Sequence, residues 1–341
     1  LPDESLKQGE ITMRVLFIGG TGDISASVSR LAVERGFDLF LLNRGQTKVN
    51  IPGATIIPGD IHDPETVRGA LAGLRFDTVV NWIAFTPEDI ERDIALFRDK
   101  TRQYIFISSA TVYQKPPVHS VITESTPLHN PYWRYASNKI ACEERLLAAF
   151  RDEGFPFTVV RPSHTYASRI PSAIHGSPYT LADRLLKGMP VIVHGDGSSL
   201  WTLTHSDDFA QAFVGLLGLP AAVGQSFHIT SDEHLNWNQI HQIVAGALGV
   251  EANIVHIPSD FIAALDPDIG AGLIGDKTWS AIFDNSKIKT FVPGYQATIP
   301  FYLGIRRVLA WFDADPGRKI VDPAVHEKMD GIIRAYQSGG R

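Results

Sequence analysis

The chain has 341 residues and a mass of 37.5 kDa, room for two domains at roughly 150 residues each. Its 44% apolar and 20% charged residues exclude a disordered chain, and a net charge of -6, from 31 basic against 37 acidic residues, argues against a nucleic-acid partner. A single cysteine, Cys142, excludes an intrachain disulfide framework and fits a reducing, cytoplasmic compartment; no apolar run reaches the ~18 residues of a membrane span, and no signal-peptide pattern opens the chain. Residues 1–12 are polar and read as an appended or frayed arm ahead of Met13.

Along the first half, short apolar runs alternate with helix-like segments. Arg14–Ile18 reads as a buried strand and Ile24–Arg35 as a helix with Ile24, Val28, Leu31 and Ala32 on one face. Asp38–Leu42 and Ala54–Ile57 are the next strands. Asp63-Pro64 supplies a cap and a first-turn proline for a helix ending near Gly73. Thr78–Asn81 is a strand, Glu88–Lys100 a helix, Gln103–Ser108 a strand, Tyr135–Glu153 a long helix and Phe157–Arg161 a strand. Continuous apolar strands alternating with helices predict an α/β fold, a Rossmann-type doubly wound parallel sheet covered on both faces. Residues 13–165 form the expected dinucleotide-binding domain, completed by a strand near 225–231. Residues 166–335, richer in Gly and Pro, form most of a smaller C-terminal substrate lobe.

The first strand runs into Gly19-Gly20-Thr21-Gly22-Asp23-Ile24-Ser25 and then a helix. Such a turn lets a pyrophosphate approach the backbone and rest on the helix N-terminus, or it is simply a tight turn. Ser25 stands where a third glycine is expected. The Asp23 carboxylate beside a phosphate costs binding unless it points away. The second strand ends Asn43-Arg44 without the acid of an NAD site, which favours NADP over NAD. Asp60, after the third strand, suits an adenine amino group or a helix cap.

Tyr135 and Lys139 stand four residues apart on one helix face, and Ser108-Ser109-Ala110-Thr111 ends the fifth strand, so both groups reach the carboxyl edge of the sheet. A tyrosine of pKa about 10 is a poor base at neutral pH. A cation about 4 Å away at an effective dielectric near 20 supplies about 4 kcal/mol, enough to lower it by three units. Lys139 is therefore expected to acidify Tyr135, while Ser109 holds the substrate oxygen and Thr111 adds a second hydroxyl.

These motifs, in this order, make the chain resemble the extended short-chain dehydrogenase/reductase family, the NAD-dependent epimerase/dehydratase proteins. The resemblance covers nearly all of residues 13–300. It extends through Asp60-Ile61, Asn81-Trp82-Ile83-Ala84, Arg161-Pro162, Gly195-Asp196-Gly197, Thr204 to Ala210 and Asp284-Asn285-Ser286-Lys287. It implies a bound NAD(P) touching Gly19, Thr21, Gly22, Asp23, Ile24, Asn43, Arg44, Asp60, Ile61, Ile83, Ala84, Lys139 and Pro162. It also implies a small-molecule substrate beside Phe85, Ser109, Thr111, Tyr135, His164 and Trp201, and a homodimer paired through Glu88–Lys100 and Tyr135–Glu153. Two positions depart from relatives that act on nucleotide-diphosphate sugars. Trp201 stands where an arginine grips the diphosphate, and His164 replaces an asparagine after Arg161-Pro162. Trp201 either stacks on a ring or fills the lobe core; His164 either donates to substrate or is a satisfied buried histidine.

The expected activity is an NAD(P)-dependent oxidoreductase or epimerase acting on a carbinol or ketone carbon of a sugar-like substrate. An NADPH-dependent ketone reductase on a non-nucleotide substrate is the alternative, and a non-catalytic cofactor-sensing or RNA-associated protein a further one. Dehydration ranks last, because no acid/base pair accompanies Ala110-Thr111-Val112. The histidines His194, His205, His228, His234 and His241 lack metal-site spacing, so no metal is expected.

Overall fold

The computed structural model describes residues 12–46, 49–174 and 176–339, so the arm read over 1–12 lies, apart from Thr12, outside the described residues. In chain order the first lobe runs β1 (Arg14–Ile18), α1 (Ser25–Glu34), β2 (Asp38–Asn43), β3 (Thr55–Pro58), α2 (Pro64–Ala70), β4 (Phe76–Asn81), α3 (Pro87–Phe97), β5 (Thr101–Ile107), β6 (Val121–Ile122), α4 (Arg134–Glu153) and β7 (Phe157–Pro162). The chain then passes through β8 (His164–Tyr166), α5 (Thr180–Leu186), β9 (Val191–His194), β10 (Leu200–Trp201), β11 (Leu203–His205) and α6 (Ser206–Leu216). It returns to the first lobe at β12 (Ser226–Ile229).

Seven strands form one parallel sheet in the order β3-β2-β1-β4-β5-β7-β12. Their side chains are apolar on both faces because helices cover both. Val28, Phe209, Phe213 and Ile288 pack on one face, and Ile90, Ile94, Phe97, Cys142 and Leu146 on the other. The strand order reverses between β1 and β4, the place where open α/β sheets bind ligands. Register aligns the site there: Ile18 pairs with both Leu42 and Asn81, Asn81 with Phe106, and Ile107 with Val160. The residues that follow these strands therefore emerge along one edge.

Helix boundaries differ from the sequence reading for local reasons. Thr86 caps α3 through the Asp89 N–H, with Asp89 answering in a capping box, so the helix starts at Pro87. It stops at Phe97, and the Lys100 carbonyl instead accepts from the Phe76 N–H at the head of β4 (2.8 Å). Asp63 caps α2 as expected, but that helix ends at Ala70 rather than near Gly73. Gly154, at φ +69°, ends α4 in the left-handed region.

Beyond β7 the chain builds a separate apolar core from Tyr166, Trp201, Trp237, Phe301 and Phe312. The two lobes interleave. Helix α6 and the helix Ser286–Phe291 pack back onto the first lobe beside β12, and Ile282–Phe283 pairs with β6 of the Ser109 loop.

Behind the sheet edge lies a buried charged network. Arg161 at the end of β7 grips Glu143 of α4 with two nitrogens (3.0 and 2.6 Å), Glu143 accepts from the Ser108 hydroxyl (2.6 Å), and Arg161 also donates to the Tyr113 hydroxyl (3.2 Å). Both charges are buried, so each depends on the other. Glu143→Ala strands the Arg161 guanidinium and is expected to cost about 3–5 kcal/mol of stability, measured by urea denaturation.

Candidate active site

Two concavities meet at the carboxyl edge. The larger, about 690 Å³, is a groove whose walls include Gly19, Thr21, Gly22, Asp23, Ile24, Asn43, Arg44, Asp60, Ile61, Ile83, Phe85, Tyr135, Lys139 and Pro162. The smaller, about 270 Å³, is lined by Ser109, Thr111, Tyr135, Pro162, His164 and Trp201 among others. Tyr135 and Pro162 belong to both, so the phenol stands at the junction.

The groove is shaped for close backbone approach. Gly19 and Gly20 sit at φ +94° and +92°, and a Cβ on Gly20 would come within 2.8 Å of the Leu41 side chain. Gly20 thus fixes the turn as firmly as Gly19, which the spacing argument did not register. No side chain caps α1 at Ile24; apart from the Ala26 N–H, which donates to the Gly22 carbonyl (2.9 Å), the first turn beside the groove keeps N–H groups available to an anion. Ser25, in the third-glycine place, accepts the Gly22 N–H (2.9 Å). Asp23 turns away: its carboxylate accepts from the N–H (2.7 Å) and the hydroxyl of Ser168, clamping the loop to the second lobe. At the adenosine end Arg44 is exposed and pairs with Asp60 at 3.7 Å, while the Asn43 side chain accepts the Gly45 N–H (2.9 Å). A dinucleotide fits these residues: a turn without Cβ atoms, an uncapped helix end and a groove within the ~300–1,000 Å³ of cofactor sites.

Lys139 is buried and donates to the carbonyls of Ala84 (2.7 Å) and Ile107 (2.8 Å). Those carbonyls are themselves held. Asn81 accepts the Ile83 N–H (2.8 Å) and Asp89 accepts the Phe85 N–H (2.8 Å), fixing the turn that presents Ala84. The ammonium also lies 4.5 Å from the centre of the Phe85 ring and 5.8 Å from that of Tyr135. Two expectations change here. Ala84 is wholly buried and serves through its carbonyl to Lys139, and Phe85 walls the groove rather than the substrate cavity.

Tyr135 is not acidified: burial raises its pKa, a hydrogen bond with Ser109 lowers it in part, and Asp276 raises it further. The sequence argument counted the lysine charge and omitted desolvation. Two donors of that charge are spent on backbone carbonyls. Ser109 accepts from the Thr111 N–H (3.2 Å) and hydroxyl (3.0 Å), leaving its own proton to donate. His164 walls the cavity and is neutral, its pKa pushed down to about 3 by burial, then by Lys277 and Arg169. Trp201 is buried against Trp237 (ring centres 5.4 Å apart), filling the lobe core, and one side of it lines the cavity.

Lys115, Asp276 and Lys277 also line the cavity, beside Trp133, and sequence reasoning missed these three charged residues. Lys115 sits in the Ser/Pro-rich loop and Asp276-Lys277 in the irregular second lobe, where no periodicity or motif marks a residue. Among the described residues no group of three His, Cys, Asp or Glu side chains is arranged to hold a metal, and no helix is long and apolar enough to cross a membrane.

The sequence profile of the NAD dependent epimerase/dehydratase family matches residues 15–230, from β1 to just past β12. The chain belongs to that family. Within this family the chain is 26% identical to 2'-dehydrokanamycin reductase of Streptomyces kanamyceticus, over 85% of this chain and 82% of that protein. It is 27% identical to a UDP-glucose 4-epimerase of Mycolicibacterium smegmatis over 60% of each chain. It is also 27% identical to a chloroplast stem-loop binding protein of 41 kDa from Arabidopsis thaliana, over 73% of this chain and 67% of that one. Among solved structures, Thermotoga maritima UDP-glucose 4-epimerase with UDP-glucose superposes with a TM-score of 0.70 at 20% identity, covering 89% of this chain and 99% of that one. These likenesses make the protein an extended short-chain enzyme on a Rossmann-type fold.

Burial also lowers the Lys139 pKa to about 8, with Cys142, Asp89 and Glu143 pulling it back up. For the free enzyme kcat/KM is expected to fall as pH rises through about 8, as the ammonium loses its proton, and Lys139→Arg removes that limb from whatever rate remains. Stability moves the other way. Between about pH 8 and the unfolded value near 10.4 the unfolded chain binds more protons at this residue, so its contribution to stability grows with pH. Rate and melting profiles across this window check both.

Proposed function

We propose that the protein is an NADP-dependent reductase that converts the ketone of a small sugar-like substrate to an alcohol, with Tyr135 delivering the proton. The observation that carries this reading is the position of a neutral phenol, hydrogen-bonded with Ser109, where groove and cavity meet. A phenol held neutral by burial carries the proton that reduction of a ketone needs.

In this reading Gly19, Thr21, Gly22 and Ile24 would hold the pyrophosphate, Asn43 and Arg44 the adenosine ribose, and Asp60 and Ile61 the adenine. Ile83, Pro162 and Lys139 would hold the nicotinamide half. When bound, the cofactor supplies the hydride that the carbonyl carbon accepts. Ser109 donates to the carbonyl oxygen and draws electron density onto it. As the carbon–oxygen π pair moves to oxygen, Tyr135 gives up its proton to form the alcohol. The phenolate left behind faces the Lys139 ammonium, which stabilises the negative charge.

The size of the cavity and the identity of Trp201 support a substrate without a nucleotide. About 270 Å³ lies below the usual range for larger ligands, and the wall beside Trp201 lacks the guanidinium a diphosphate would use. Intact Ser109, Tyr135 and Lys139 argue against a purely RNA-associated or sensing role. Arg44 supports NADP: its pairing with Asp60 is long and exposed, worth at most about 1 kcal/mol, so a 2'-phosphate displaces it easily.

Two measurements test this. Tyr135→Phe should cut kcat by about 10²–10⁴-fold in NADPH-consuming turnover with little change in NADPH affinity; full activity in that variant overturns the reading. Arg44→Ala should weaken NADPH about 10–100-fold in a fluorescence titration, the loss of a charged hydrogen bond worth about 1.5–3 kcal/mol, while NADH binding stays within about twofold.

A further inference from the structure

The wall of the small cavity opposite Tyr135 is built from charges that do not balance. Lys115 and Lys277 are each 2% exposed and both line the space. Among the described residues the Lys115 ammonium has no hydrogen-bond acceptor, although it lies in the field of Asp276. Lys277 has only the Gly272 carbonyl, at 3.4 Å, and the Asp276 carboxylate, at 3.9 Å, with the Trp133 ring centre 5.7 Å away. One carboxylate thus serves two buried ammonium groups. The neighbouring polar groups supply no second anion: His164 is neutral, as is Tyr135, and Ser109, Thr111 and Ser163 bring hydroxyls.

The arrangement is held firmly in place. Leu273–Lys277 forms a single π-helical turn, a form of helix that recurs at functional sites, and it carries Asp276 and Lys277 to the cavity. Asn130, itself buried, donates to the Gly275 carbonyl (2.6 Å) and to the Thr111 carbonyl (2.8 Å), tying this turn to the hydroxyl loop. Gly275 has no room for a side chain, since a Cβ there would meet the Trp133 Cβ at 2.8 Å. A buried ammonium without a full complement of partners is costly, and a chain that fixes two lysines around one carboxylate leaves a place for one more negative charge.

We propose that Lys115 and Lys277 bind a carboxylate carried by the substrate, so that the ketone reduced at Tyr135 belongs to a small keto acid or sugar acid. A carboxylate carries the single charge that the two lysines and Asp276 leave unmatched, whereas a phosphate ester carries about 1.5 to 2. The inference deepens the reductase reading and rests on its placing of the substrate in this cavity. Burial depresses both lysine pKa values and raises that of Asp276; an anion between the lysines opposes the first of these shifts.

The test is thermal unfolding of the full chain, which needs no turnover and so separates this claim from the assignment of Tyr135. D-Glucuronate and pyruvate serve as carboxylate probes, inorganic phosphate as the competing anion and D-glucose as the uncharged control. At least one carboxylate at millimolar concentration is expected to raise Tm of the native protein and of Tyr135→Phe, glucose is not, and the shift disappears in Lys115→Met and Lys277→Met. Lys115→Met is also expected to melt higher than the native protein without any ligand, because it removes an unpaired buried charge; Lys115→Gln provides the same comparison if the methionine variant folds poorly. No shift with either carboxylate, a shift that survives both lysine substitutions, a larger shift with phosphate, or a lower ligand-free Tm in both Lys115 variants each overturns the proposal. Loss of NADPH turnover with these carboxylate shifts intact would instead count against the reductase reading alone.

Discussion

The Lys139 ammonium joins the ends of two neighbouring strands. It draws together the carbonyl that ends β5 and the carbonyl two residues beyond the Trp82 that follows β4, and it does so from the first turns of α4, the helix that also carries Tyr135. The ligand crevice of an open α/β sheet lies outside the carboxyl ends of its strands. A cation bonded to both strand ends, on the helix that carries Tyr135, fixes where the phenol stands beside that crevice. The rest of the site is arranged in support. Asn81 and Asp89 fix one carbonyl, the β5–β7 pairing fixes the strand bearing the other, and Glu143, one turn further along α4, is gripped by Arg161 from β7. One long helix is therefore tied to three strand ends by charged groups that are themselves buried.

The glycine loop is constrained from the opposite side. Its own backbone demands Gly19 and Gly20, but its position relative to the second lobe comes from Asp23, whose carboxylate is taken up by Ser168. A residue that looked awkward for an anion site turns out to be a tether. Ser27 of α1 reaches Asp207 at the start of α6 (2.8 Å) in the same sense, so both ends of the first helical turns are stitched to residues that follow β7.

The sheet was legible because both of its faces are covered, so each strand is a continuous apolar run that periodicity arguments find easily. Tyr135, Lys139 and Ser109 were legible for a related reason: they stand at fixed offsets from strand ends, and register carries those offsets into one edge. What sequence could not supply was the cost of burial. It supplied Lys139 with its charge and Tyr135 with its ordinary acidity, and these imply an acidified phenol, whereas desolvation pushes the phenol the other way. Lys115, Asp276 and Lys277 were invisible for a different reason. Their segments are separated by some 160 residues, and the bonds that unite them run through one amide side chain, Asn130. Nothing local in either stretch announces a partner.

That amide has an implication for descent. Asn130 fastens the hydroxyl loop of the first lobe to a short turn of the second, and both segments wall the smaller cavity beside Tyr135. Exchanges at positions 273–277 can recast the wall of the smaller cavity while Tyr135 and Lys139 keep their stations, provided the anchoring carbonyls survive. A scaffold hinged on main-chain oxygens leaves its side chains free to drift, and kindred enzymes with divergent diets become the expected outcome.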